Sequence, residues 1–358
     1  MMKKKGLCTL LLTGALLVST NTAVFATDVP VVGDGTEDGG ATVSVIKNFD
    51  FAEGIKTPAV TFKFTANKVT NDAPNATINA ISYSADEQGT LSAGKYTLTK
   101  NSQINFEAFP HAGEYVYNVK ETKENIEGVK YDEKEYKLRV YVANKTNNAG
   151  LYVKTITAEQ NGEKKKQVLF TNTYVKDGGS ADNKDALVIE KQTTGTYADQ
   201  SKQFEFKLIL KKAATTKDDE ATGKIGGQVI KFKYDQEQTF KLGHNDKLIF
   251  EDLPAGTRYL VTEVGVADKY VPTVTVVENG IQNPSKKGTD ANDLTSADKD
   301  NLVGEHENKV TFVNEFSDND LPITGIIENN MPFILLIGVG VVAFGSLAAV
   351  KKRKTVEK

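Results

Sequence analysis

The sequence predicts an all-β protein whose middle is two tandem β-sandwich domains, and three observations predict it. Short runs alternate polar with apolar residues, as in ATVSVIKNF (41–49), AVTFKFTA (59–66), YVYNVKE (115–121), YKLRVYVA (136–143) and QVLFTNTY (167–174). This is the two-residue period of half-buried strands, rich in β-branched and aromatic residues. Clusters of Gly, Asn and Asp separate the runs, as turns between short strands require. The whole series then occurs a second time further along the chain.

In chain order, Lys3, Lys4 and Lys5 precede an apolar stretch from Leu7 to Val18, with small residues at Val24 and Ala26. That is the layout of a secretory signal peptide, residues 1–26. Residues 27–40 are expected to be a flexible N-terminal segment. At the far end an uncharged stretch, 331–350, is about the length that crosses a ~30 Å hydrocarbon core. KKRK follows at once, a charge bias that keeps a tail in the cytoplasm. LPITG stands upstream, from Leu321 through Pro322, Ile323 and Thr324 to Gly325. Pentapeptide, apolar span and basic tail in that order resemble the cell-wall sorting signal of Gram-positive surface proteins. The resemblance implies that a sortase cuts after Thr324, holds the chain as a thioester and passes it to an amine. Residues 317–358 would form this signal.

Without its targeting segments the chain keeps roughly three hundred residues, enough for two domains. The single cysteine, Cys8, lies in the signal peptide, so the exported part has neither thiol nor disulfide. An exported β-rich chain normally uses disulfides. Its stability must therefore come from large cores or from another kind of crosslink. The net charge of −3 indicates no nucleic-acid partner. His111, His244 and His306 are scattered and form no metal constellation. The Asp/Asn-rich stretch 289–301 lacks the spacing of a calcium loop and reads as a surface loop. No cofactor is expected.

The first domain is expected over 41–175, a linker over 176–186 (KDGGSADNKDA), and the second domain over 187–316. INFEAFPHAGEYVYNVKETK from Ile104 parallels LIFEDLPAGTRYLVTEVG from Leu248, VLFTNTY parallels VTFVNEF, and TVSVIKNF parallels ALVIEKQT. A unit of this size present twice argues for tandem domains. Three residues recur within it: Lys47, Glu121 and Asn172, then Lys191, Glu263 and Asn314. Strand alternation places each at the end of an inward stripe: Val43–Val45–Lys47, Tyr117–Val119–Glu121 and Val168–Phe170–Asn172, with Leu187–Ile189–Lys191, Tyr259–Val261–Glu263 and Val310–Phe312–Asn314 in the second copy. Asn308 is the alternative asparagine there, although it precedes the apolar stripe instead of ending it.

Burying a lysine with a glutamate is costly unless they are paired or neutral. Exposed edge charges that block sheet-to-sheet pairing are the simpler reading, but such charges have no reason to keep one spacing in two domains. Desolvation drives a buried lysine toward the neutral amine and a buried glutamate toward the neutral acid. The amine can attack the asparagine amide carbon, while the glutamate hydrogen-bonds the carbonyl oxygen and carries a proton to the leaving ammonia. Fixed geometry makes so slow a reaction feasible. The product is a Lys–Asn isopeptide bond.

Two such domains before a sorting signal resemble the major backbone pilins of Gram-positive bacteria, the two-domain streptococcal type with isopeptide-linked, CnaB-like immunoglobulin folds. The resemblance runs from about Ala41 to Phe316. It implies that Glu121 and Glu263 promote crosslinks Lys47–Asn172 and Lys191–Asn314, which join the first and last strands of each domain. It also implies that a lysine of the first domain resolves the thioester of the next subunit, joining Thr324 to Lys165. Lys165 lies seven positions before Asn172, which by parity turns it outward, with Lys164 and Lys166 in the inward phase; all three stay open as the linking residue.

A structural shaft subunit of a sortase-assembled pilus is thus the leading function. Its partners would be a pilus-type sortase, identical subunits, accessory pilins and peptidoglycan, at the cell wall. The alternative is a monomeric wall-anchored adhesin or minor pilin that binds host surface ligands. An enzyme with turnover is disfavoured, because no nucleophile–base pair, phosphate loop or metal set occurs and the lysine chemistry consumes itself.

Overall fold

A computed structural model describes residues 34–317 except 147–148, 181–183, 267–268 and 290. The signal peptide, the LPITG residues Leu321 to Gly325, the apolar span 331–350 and the basic tail lie outside the described residues. Every regular element among the described residues is a strand.

The principal strands of the N-terminal half are β1 (Ser44–Ala52), β2 (Phe64–Lys68), β3 (Lys95–Phe106), β4 (Gly113–Glu121), β5 (Glu135–Asn144), β6 (Leu151–Gln160), β7 (Glu163–Lys165) and β8 (Val168–Tyr174). One sheet holds β3, β1 and β8 as neighbours, and the other runs β7-β6-β5-β4-β2. In the C-terminal half they are β9 (Leu187–Thr194), β10 (Phe204–Lys211), β11 (Lys247–Phe250), β12 (Arg258–Glu263), β13 (Tyr270–Glu278) and β14 (Lys309–Phe316). There β11-β9-β14-β13 form the centre of one sheet, and β10 pairs with β12 in the other.

In each half the first and last strands are adjacent and parallel, β1 with β8 and β9 with β14. A parallel pair at the centre of a sheet is covered on both faces. Accordingly β1 buries almost every residue, including Asp50, whose carboxylate is held by Lys95 and Thr97. The apolar residues of all six inward stripes are buried, and each domain closes around its own core.

One expectation needs correction. From Asp34 onward the segment expected to be flexible is docked on β6: Gly35 N–H donates to Lys154 O and Ala41 N–H to Val153 O. Backbone groups that would otherwise be open along β6 are thereby paired. At Gly178 and Gly179 the linker also packs against the second domain. Gly178 and Gly179 are buried, and Gly178 N–H donates to Leu253 O. A Cβ on Gly178 would lie 2.4 Å from the Val303 side chain, so composition that reads as flexibility here serves close packing.

The halves touch through Glu53–Arg258 and Lys176–Glu305 ion pairs. Ala213 and Ala255 join the apolar cluster of the N-terminal half. Gly256, at φ +92°, sits at this contact, where a Cβ would be 2.5 Å from that of Ala52.

Candidate crosslinking sites and sorting motif

Lys47 lies within the buried stripe of β1, between Val45 and Phe49, while Asn172 lies in that of β8 and Glu121 ends that of β4 on the facing sheet. Lys47 lies opposite Phe170 and Asn172 opposite Phe49, so both side chains leave the same face two residues apart, within reach of a long lysine side chain. Lys47 and Asn172 have no solvent exposure. Lys47 Nζ donates to Glu121 Oε2 at 2.8 Å, and Asn172 Nδ2 donates to Glu121 Oε1 at 2.7 Å. One carboxylate thus bridges the amine and the amide nitrogen. Phe62 packs against Lys47, its ring centre 4.5 Å from Nζ, and shuts water out.

Burial lowers the Lys47 ammonium to about 8, against the opposing pull of Glu121. Burial likewise raises the Glu121 carboxyl above the ordinary carboxylate range, with Lys47 and Asn172 opposing. The proton of the pair can therefore move from amine to acid at much less cost than in water.

The second site repeats this arrangement with differences. Lys191 Nζ is 2.9 Å from Glu263 Oε1, though not aligned for a hydrogen bond, and Asn314 Nδ2 donates to the same Oε1 at 2.8 Å. Glu263 Oε2 and Asn314 Oδ1 are buried without a partner. Phe204 takes the place of Phe62, 4.4 Å from Nζ. Burial sets Lys191 at about 8 and raises Glu263.

The glutamate does not meet the asparagine as the sequence suggested. It faces the amide nitrogen, whereas Asn172 Oδ1 accepts from the backbone N–H of Asp132 at 2.8 Å. Alternation places a side chain on a face but says nothing about which end of an amide meets which neighbour. Asp132 was missed altogether, because a loop N–H carries no signature in residue type.

Asn308 is not part of the second site. Its Oδ1 accepts from Asn279 N–H and Gly304 N–H, and its Nδ2 donates to the carbonyls of Ala186, Gly304 and His306. It is a backbone clamp at the start of β14.

The lysine cluster is also arranged differently. Lys165 pairs with buried Ala158 across β7–β6, and residues directly opposite share a face. Lys165 therefore turns toward the covered side of the sheet edge, its side chain 33% exposed and its Nζ 2.7 Å from Glu163 Oε2. Lys164 and Lys166 are exposed. Counting back from Asn172 fails because β7 and β8 belong to different sheets, and the phase is lost at Lys166–Gln167.

Residues 43–175 match the Spy0128-like isopeptide containing domain, 185–315 a domain of unknown function, and 317–357 the LPXTG cell wall anchor motif. A pilin of Streptococcus pyogenes serotype M1 is 29% identical over 96% of this chain and 98% of its own length. The pilus tip adhesin Cpa of Streptococcus pyogenes is 34% identical over 29% of this chain and 14% of its own. The major pilin structure T3.2 of Streptococcus pyogenes shares 22% identity over 80% of this chain and all of its own, with a TM-score of 0.36, a likeness too loose to bear on the arrangement of the halves. With the anchor motif, the isopeptide-containing domain and a pilin aligned along nearly the whole chain, the protein is similar throughout to the cell-wall-anchored pilins of Gram-positive bacteria.

Proposed function

We propose that the protein is the shaft subunit of a covalently polymerised, cell-wall-anchored pilus, and that each domain locks itself with a Lys–Asn isopeptide bond. The observation that carries this reading is the buried triad placed between the parallel first and last strands of each half.

Tension applied along the chain enters the first domain at the start of β1 and leaves at the end of β8. A Lys47–Asn172 bond routes it from residue 47 straight to residue 172. Everything between, including the core and the sheet hydrogen bonds, is taken off the load path. In the second domain a Lys191–Asn314 bond does the same. A subunit loaded in series with many others needs this, because non-covalent domains open locally well before the chain breaks.

The chemistry is a single turnover per domain. Neutral Lys47 Nζ attacks Asn172 Cγ; Glu121 accepts a proton from Nζ through Oε2 and returns one to Nδ2 through Oε1; ammonia leaves. Holding amine and amide in contact supplies an effective molarity of roughly 10⁵ M or more.

Between subunits, a sortase transfers the Thr324 acyl group to an amine of the first domain. Lys165 is the proposed amine: its side chain is one-third exposed at the sheet edge and its Nζ pairs with Glu163. A blot of cell-wall extract boiled in SDS tests the function, using strains that carry Lys164→Ala, Lys165→Ala or Lys166→Ala. A high-mass ladder that collapses only with Lys165→Ala is expected. A ladder lost with another lysine moves the junction, and a single band in every strain means a wall-anchored monomer.

A further inference from the structure

We propose that the backbone N–H of Asp132 is the oxyanion donor of the first crosslinking site and that the Asp132 carboxylate positions it, a proposal that rests on the isopeptide reading above. The short strand at Val129–Lys130 pairs with Thr173 and Tyr174 of β8, then leaves the ladder. Asp132 turns back so that its N–H reaches Asn172 Oδ1 at 2.8 Å. Its carboxylate takes the place of a ladder acceptor, receiving Thr171 N–H at 2.9 Å and Lys134 Nζ at 2.8 Å on Oδ2. Gripping the residue next to Asn172 fixes the N–H against the oxygen on which charge must develop.

The second site has no such turn. Pro272, which has no N–H, lies opposite Asn314, and the pairing continues without a break through Thr273 and Val313. Asn314 Oδ1 is buried there without a partner. The two sites thus share amine, acid and amide but differ in the oxyanion donor.

In the reaction, the Nζ–Cγ bond forms and the carbonyl π pair moves onto Oδ1, to which the Asp132 N–H donates its hydrogen bond. Glu121 moves one proton from Nζ to Nδ2, the Cγ–Nδ2 bond breaks and ammonia departs as the carbonyl re-forms. Loss of one oxyanion donor costs about 10²–10³ in rate.

The test uses the full chain made by cell-free translation, quenched at intervals and digested, with mass spectra scoring ammonia loss separately at 47–172 and 191–314. Replacing residue 132 by the α-hydroxy acid of aspartate turns its N–H into an ester oxygen and keeps the side chain. The expected result is crosslinking about 100-fold slower at the first site and unchanged at the second. An unchanged rate at both sites overturns the proposal. If instead the unmodified chain loses no ammonia at either site, the isopeptide reading itself falls. Should the ester leave the first domain protease-sensitive, side-chain variants decide. Asp132→Ala slows the first site, and Asp132→Asn, which keeps an oxygen for Thr171 N–H, recovers much of the rate; equal rates in the two overturn the proposal.

Discussion

Replacing Asn172 with alanine removes the first crosslink and leaves the Lys47–Glu121 pair in place. The bond closes a loop of about 125 residues, for which the chain-entropy relation gives roughly 5 kcal/mol of stabilisation at 25 °C. Alanine also orphans the part-buried Asp132 N–H, which adds about 1–3 kcal/mol. At roughly 3–4 °C per kcal/mol for a domain of this size, the first domain should unfold about 18–32 °C lower. Scanning calorimetry of a chain spanning 27–320 reads the two domains as separate transitions, and only that of the first domain should move. Intact mass establishes beforehand that the parent chain is crosslinked. A shift under about 5 °C in a chain so verified would refute the reasoning that the bond constrains the unfolded domain.

Other perturbations follow from the same geometry. In Asn172→Ala the folded Lys47 loses its proton near pH 8, whereas the unfolded chain keeps it to about 10.5. The unfolded state therefore binds more protons across that window, and stability rises with pH by roughly 3 kcal/mol between 8 and 10.5. In the crosslinked parent that nitrogen is an amide and does not titrate, so urea unfolding at the two pH values should show the rise in the variant alone. Glu263→Ala should abolish ammonia loss in the second domain only and, by stranding buried Lys191, destabilise that domain by about 3–5 kcal/mol; a crosslinked Glu263→Ala chain would remove the glutamate from the mechanism. Asn308→Ala should destabilise the second domain by several times ~1 kcal/mol through its unpaired backbone groups while ammonia loss stays complete, as mass and urea unfolding together would report. Gly256→Val, which forces a side chain into Ala52 at positive φ, should part the two halves by about 1–3 kcal/mol, seen as new protease cleavage between 176 and 186.

The fold class and the repeated unit were legible because half-buried strands write their inward faces into every second residue. Val168, Phe170 and Asn172 count in phase from the start of β8, and so do the other stripes. The same count failed for Lys165, where the chain leaves one sheet for the other within two residues and no residue type marks the break. Glycine at 178 reads equally well as a hinge or as a place where nothing larger fits, and only the position of Val303 distinguishes them. Burial of the triads could be inferred from apolar neighbours in the stripe. The hydrogen-bond partner of each end of the Asn172 amide could not, because it depends on the path of the loop through Asp132, which contributes its backbone as well as its side chain.

The most direct test of the central claim is the intact mass of the folded chain spanning 27–320, measured after denaturation. The account predicts a mass lower than that of the sequence by two ammonia molecules, with Lys47–Asn172 and Lys191–Asn314 recovered as branched peptides. A folded chain with the full sequence mass would contradict it.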